Sequence, residues 1–184
     1  SDKTNLEPAF KNANYYVNEK HWNWALSPNL REKASFLKEN ILPIKESGQL
    51  KFFNIHGGAS EMNRGTTDNS RLKTHDSPII SGLSFFTVSG HTAAMMLPKI
   101  NFKGKTIVYM ADLLPSAAHI PLPYVMAYDM CPLTTLNEKK LFLTEAQQNN
   151  YILFFEHDPF TECCNLQMTD KGVRVNETFK LSDL

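Results

Sequence analysis

Neither sign of charge predominates in this 184-residue sequence: Lys plus Arg and Asp plus Glu number 19 each, for a formal net charge of zero. A nucleic-acid or anionic-membrane partner favours a basic face, and no long basic run is present, so neither partner is expected. Cysteine is scarce: Cys131 and the neighbours Cys163 and Cys164. Adjacent cysteines rarely bridge each other and an odd count leaves one over, so a reduced chain in the cytoplasm is expected. No apolar run reaches membrane-spanning length, and the N-terminus has no signal-peptide pattern. Gly57-Gly58 belongs to neither a G-x-G-x-x-G nor a Walker pattern, which removes the common phosphate cradles. Internal repeats and low-complexity stretches are also missing. What is present is ordinary for a globular protein, 42% hydrophobic and 21% charged residues, in a length that suits a single domain over residues 1–184.

Periodicity and turn chemistry then divide the chain. Asn12 to Asn18, with aromatic and β-branched residues in its middle, reads as a short strand. His21, Trp22 and Trp24 read as packing residues near a helix start. Ser27 as N-cap, Pro28 at the first helical position and Leu30, Ala34, Leu37 and Ile41 at helical spacing predict a helix ended by Pro43 and Gly48. Leu50 to Ile55 reads as a strand, and His56 to Ser77, including His75-Asp76, as a long polar loop. An apolar strand follows and ends at Ser89-Gly90-His91. Met95 to Lys105 reads as a connection with a turn at Lys103-Gly104-Lys105, and Thr106 to Pro115 as a buried strand containing Asp112. A short helix after Ser116 is limited by Pro121 and Pro123. Thr135 and Glu138 form a T-x-x-E capping box, which predicts a helix starting there. Tyr151 to Pro159 reads as a buried strand reaching His157, and the tail as two strands about Asp170-Lys171-Gly172. The mixture predicts an α/β fold of layered sheet and helix.

His91, Asp112 and His157 each follow an apolar strand. Strands of one sheet can deliver all three side chains to one rim. Imidazole nitrogen and carboxylate oxygen suit zinc and related divalent metals, and a carboxylate can bridge two. Singly, Asp112 also reads as a turn cap and His157 as a turn hydrogen-bonder; the threefold repetition of the same placement favours ligation. His119 lies close enough in sequence to Asp112 to contact substrate or to hydrogen-bond to a ligand, and reads equally well as a turn-stabilising residue. A Cys-His nucleophile built on Cys163 or Cys164 is weaker, because one of two neighbouring strand residues faces the core.

The ordered set "GHT" at His91, "ADLLP" at Asp112 and "FEHDP" at His157 resembles the metallo-β-lactamase superfamily, in its lactonase-like and organophosphate-hydrolase-like branch. The stretch Asn12 to Ile44 is similar to what such proteins place after their first metal motif. The resemblance implies an αββα sandwich, with this chain as its C-terminal portion: a mixed sheet with flanking helices. It implies His91 as ligand of a first metal, His157 of a second, and Asp112 as bridge and catalytic residue, with two divalent metals, zinc foremost, in the complete site. It implies a metal-bound hydroxide acting on a small-molecule ester, lactone or phosphoester.

The family's His-x-His-x-Asp-His motif is missing. The six histidines are His21, His56, His75, His91, His119 and His157, and no two are two apart. The chain does not begin with Met and is read as starting after that motif, so weak or no metal binding is expected of it alone. Association with the N-terminal portion or with a second copy would cover apolar surface left open. The rival reading is a non-catalytic interaction module that kept the fold and lost the metal site.

Overall fold

The computed structural model describes residues 6–53, 72, 74–77 and 80–184. They fall into two compact units, 1–56 and 57–184.

In the first unit β1 (Tyr15–Asn18) pairs in parallel with β2 (Leu50–Phe53), Tyr15 opposite Leu50. A parallel pair needs a crossover, here made through α1 (Glu19–Leu26) and α2 (Lys38–Glu46). Asn18 caps α1, its side chain accepting the Lys20 N–H at 2.9 Å. Trp22 and Ala25 are buried and His21 lies edge-on to Phe36, so this segment packs as expected, but as a helix of its own. The helix expected from Ser27 begins only at Lys38, and Leu30, meant for its apolar face, is 95% exposed. Asn29 explains the delay. Its side-chain oxygen accepts the N–H groups of Arg31 and Glu32, and Glu32 in turn accepts from the Trp24 indole at 2.9 Å. Local side-chain bonds hold residues 29–36 in turns.

The second unit is built on seven strands in sequence order: β3 (Thr74–Asp76), β4 (Leu83–Val88), β5 (Met95–Phe102), β6 (Lys105–Tyr109), β7 (Ile152–Phe154), β8 (Cys163–Thr169) and β9 (Gly172–Phe179). Every neighbouring pair is antiparallel except β6 with β7. That one parallel pair is joined through α3 (Pro132–Gln148), the long connection such a pair requires. His75-Asp76 therefore lies in a strand, not in a solvated loop; the rest of the expected loop, residues 56–71 and 73, falls outside the described residues. The supposed connection after Met95 is likewise a strand. Its Pro98 sits where β5 pairs with β4 alone, before the β6 ladder starts at Lys99, so the missing N–H interrupts no β6 bond.

Successive strand residues point to opposite faces. One face carries Phe86, Val88, Leu97, Val108, Met110, Leu153 and Cys164 and packs on Phe142, Leu143 and Ala146 of α3. The other carries the smaller cluster of Ile107, Ile152 and Cys163. Both neighbouring cysteines are thus buried, one on each face. Among the described residues no helix is long and apolar enough to cross a membrane.

Candidate functional site

The sheet's strand directions determine where the three candidate ligands go. β4 is antiparallel to β5 and β5 to β6, so β4 and β6 run the same way; β7 is parallel to β6. The C-terminal ends of β4, β6 and β7 share one rim, and His91, Asp112 and His157 follow those three ends. Asp112 lies between the histidines. Its Oδ2 is 3.4 Å from His91 Nε2 and its Oδ1 is 3.4 Å from His157 Nε2. Ala111, with φ of 42°, turns the backbone into the left-handed region just before Asp112, a conformation that costs a residue with a Cβ about 1–2 kcal/mol. The His157 N–H donates to Pro115 O at 3.2 Å and ties the third loop to the second.

A residue that sequence reasoning missed completes the arrangement. Asp129, 3% exposed, has Oδ1 3.0 Å from His91 Nδ1, while its Oδ2 accepts the Met126 N–H. A buried carboxylate on Nδ1 fixes the ring orientation and, with the proton on Nδ1, leaves the Nε2 lone pair for a ligand. Nε2 stands 3.4 Å from Asp112 Oδ2, a pair of donor atoms that a shared cation or a ring proton would join. The donor chemistry therefore fits part of a two-metal centre: one imidazole on each side of one carboxylate. It is not a whole centre, for among the described residues no group of three or more His, Cys, Asp or Glu is arranged to hold a metal ion.

The loop that presents His91 is bonded on both edges. Glu138 of α3, 2% exposed, accepts the Ser89 N–H at 2.8 Å and the Gly90 N–H at 2.9 Å. Gly90 O accepts from Cys131 N–H and His91 O from Met130 N–H. The T-x-x-E motif therefore does not cap α3. The helix starts three residues earlier, with Cys131 at the N-cap and Pro132 following, and Glu138 serves the His91 loop instead. Burial pushes the Glu138 carboxyl up to about 7, against the lowering effect of its two N–H donors.

His119 ends a short 3-10 turn, Ala117–His119, with Ser116 Oγ 2.8 Å from its Nδ1. Burial, with Lys139 nearby, lowers its pKa and favours the neutral ring. Asp158, beside His157, accepts the N–H groups of Phe160, Ala117 and Thr161. These outweigh burial and hold its carboxyl below the usual range. Lys139, fully buried, donates to the carbonyls of Pro121, Leu122 and Tyr124 at 2.8, 3.1 and 2.7 Å, and burial brings it down to about 8. The thiols of Cys163 and Cys164 are pushed up by burial to about 11 and about 12, which leaves almost no thiolate near neutrality and disfavours a cysteine nucleophile.

The chain is similar to several solved structures. It covers 55% of a probable metal-dependent hydrolase from Staphylococcus aureus, with 95% of its own residues aligned, 23% identity and a TM-score of 0.72. It covers 59% of AidC, a dizinc quorum-quenching lactonase solved with a product bound, with 97% of its own residues, 19% identity and a TM-score of 0.67. It covers 56% of AbOPH, a hydrolase in the beta lactamase superfamily, with 92% of its own residues, 18% identity and a TM-score of 0.67. These likenesses show a metallo-β-lactamase-like fold, spanned over little more than half the length of those structures. No family model and no curated protein matches the chain.

Proposed function

We propose that residues 1–184 are the C-terminal part of one metal-dependent hydrolase domain, acting in the cytoplasm on a small-molecule ester, lactone or phosphoester. The observation that carries this reading is the placement of Asp112 between His91 and His157, one carboxylate oxygen to each Nε2. The hydrolases and the dizinc lactonase that share the fold support it. His91 would hold one divalent metal, His157 a second and Asp112 both, with zinc the best match to the donors. Such a metal pair, when bound, supplies an acidified water and an electrophile for the scissile carbonyl or phosphoryl group. The chain's own part is geometric. Asp129 orients His91, Pro115 O anchors the His157 backbone, and His119 faces substrate or a ligand. The remaining ligands would come with an N-terminal portion associated with this chain; that portion or a second copy would cover its open apolar surface.

The test uses the full-length protein, purified natively. Zinc content is measured together with hydrolysis of 4-nitrophenyl acetate, δ-valerolactone and a 4-nitrophenyl phosphotriester. About two metals per chain and hydrolysis of one of these probes are expected, with both lost in His91→Ala, Asp112→Ala and His157→Ala. Metal content and activity unchanged in all three variants would sink the proposal. Absence of metal in the full-length protein would favour the non-catalytic module.

A further inference from the structure

Glu138 and Lys139 are neighbours in α3, and both are buried charges without a direct role in the chemistry proposed above. Consecutive helical residues point about 100° apart, so the two side chains reach in different directions from one rigid rod. Each ends on backbone and not on an opposite charge. Glu138 takes two N–H groups of the loop that presents His91. Lys139 takes three carbonyls of the turn that follows His119. That turn has few bonds of its own, since Pro121 and Pro123 have no N–H and only the Tyr124 N–H closes it, onto Pro121 O at 3.0 Å. Burying two unmatched ions costs several kcal/mol each unless their hydrogen bonds are filled. Here the acceptor ion is matched to donors and the donor ion to acceptors.

We propose that Glu138 and Lys139 are a pair of positioning residues through which α3 holds the two flanks of the candidate site independently: Glu138 the His91 flank, Lys139 the 121–124 flank beside His119. The inference rests on the hydrolase reading for its functional consequence, but not for its geometry. Thr135, one turn earlier in α3, locks the first flank sterically, because a Cβ on Gly90 would lie 2.3 Å from its backbone nitrogen. On the second flank the ammonium reaches the turn through three hydrogen bonds. The division of labour follows: the Glu138 flank bears on His91, whereas the Lys139 flank bears on the turn that carries Tyr124, a residue 61% exposed.

The experiment is hydrogen exchange on the metal-free full-length protein, comparing Glu138→Gln, Lys139→Met and a core control on the same helix, Leu143→Ala. Glu138→Gln is expected to speed exchange at Ser89 and Gly90 about tenfold and leave Tyr124 unchanged. Lys139→Met is expected to speed Tyr124 by a similar factor and leave Ser89 and Gly90 unchanged. If Lys139→Met does not fold, Lys139→Arg reads the same amide. Both flanks loosening together in either variant, or the same pattern in Leu143→Ala, would overturn the proposal. Zinc titration adds a readout that a merely structural role would not split: about tenfold weaker binding in Glu138→Gln and none in Lys139→Met. Equal loss in both would also overturn it. If the wild-type protein binds no zinc, the hydrolase reading falls while the exchange pattern still decides the clamp.

Discussion

Two groups of charged side chains lie in the second unit, and they are built in opposite ways. At the rim, His91, Asp112 and His157 are 19%, 30% and 55% exposed at the side chain, and they meet one another across 3.4 Å gaps. Behind them, Glu138 and Lys139 are almost wholly buried and meet only backbone, at 2.7–3.1 Å. The rim group is partly exposed, its nitrogens and oxygens close but not in tight contact. The buried group is saturated. An open polar group suits binding and contributes little to folding, whereas a saturated buried one is expensive to disturb. The largest expected effect separates them on the rim side. Asp112→Ala should reduce hydrolysis by the full-length protein about 10³-fold, equivalent to about 4 kcal/mol, and release bound metal. It should leave the stability of the metal-free protein within about 0.5 kcal/mol, as for other partly exposed positions. Urea melts alongside metal analysis check both; a large loss of stability without loss of metal would erase the contrast.

On the buried side the strongest perturbation is steric. A Cβ at Gly90 would stand 2.3 Å from both the Thr135 backbone nitrogen and its Oγ1, and 2.5 Å from its Cα. The hydroxyl can rotate away; the helix backbone cannot. Gly90→Ala should destabilise the protein by about 3 kcal/mol, the upper part of the usual range for overpacking. A denaturation midpoint that did not move would show that α3 can shift from the His91 loop without penalty.

These two groups also differ in how far the sequence discloses them. The meeting of His91, Asp112 and His157 at one rim is legible because the same placement of a polar residue after an apolar strand recurs three times, and strand directions do the rest. The β8–β9 hairpin is legible for the same local reason, its turn at Asp170-Lys171-Gly172. Glu138 reads as a cap and Lys139 carries no signal, since burial of a charge is decided by distant backbone with no sequence spacing of its own. Asp129 is hidden likewise: its partner His91 is contributed by another loop. The T-x-x-E pattern misled because Pro132 already starts the helix and the Ser89 and Gly90 N–H groups are better placed for Glu138. The spacing Leu30-Ala34-Leu37-Ile41 misled because Asn29 and Glu32 bond locally and hold that stretch out of a helix.

Protonation sharpens the same contrast. Burial raises Glu138 from its ordinary value of 4.5 to about 7. Between those values the folded chain holds a proton that the unfolded chain has released, so its stabilising contribution is complete below pH 4.5 and is lost as pH rises through 7. At about 1.36 kcal/mol per unit, the loss is on the order of 3 kcal/mol. Glu138→Gln cannot release this proton. Urea melts from pH 4.5 to 8 should show the wild type losing stability relative to the variant as pH rises. Parallel profiles would mean that the two N–H donors, not burial, govern this carboxyl.

The smallest expected effect falls on His119, which stands between the two groups. Its Nδ1 is 2.8 Å from Ser116 Oγ, and burial lowers its pKa, so near neutrality the ring is uncharged and still able to give or take one hydrogen bond. If this neutral imidazole contacts substrate, its loss should lower kcat/KM about tenfold, equivalent to about 1.4 kcal/mol of transition-state stabilisation. Zinc affinity should not change, because the Nδ1 of this ring is taken by Ser116 Oγ and not by a candidate ligand. His119→Asn, which keeps a polar group at the head of the turn, should recover part of the loss if the contact is to substrate. If zinc binding fell in His119→Ala along with activity, the residue would belong with the ligands. A drop in stability alone would place it with Lys139, as one more fastening of the 121–124 turn.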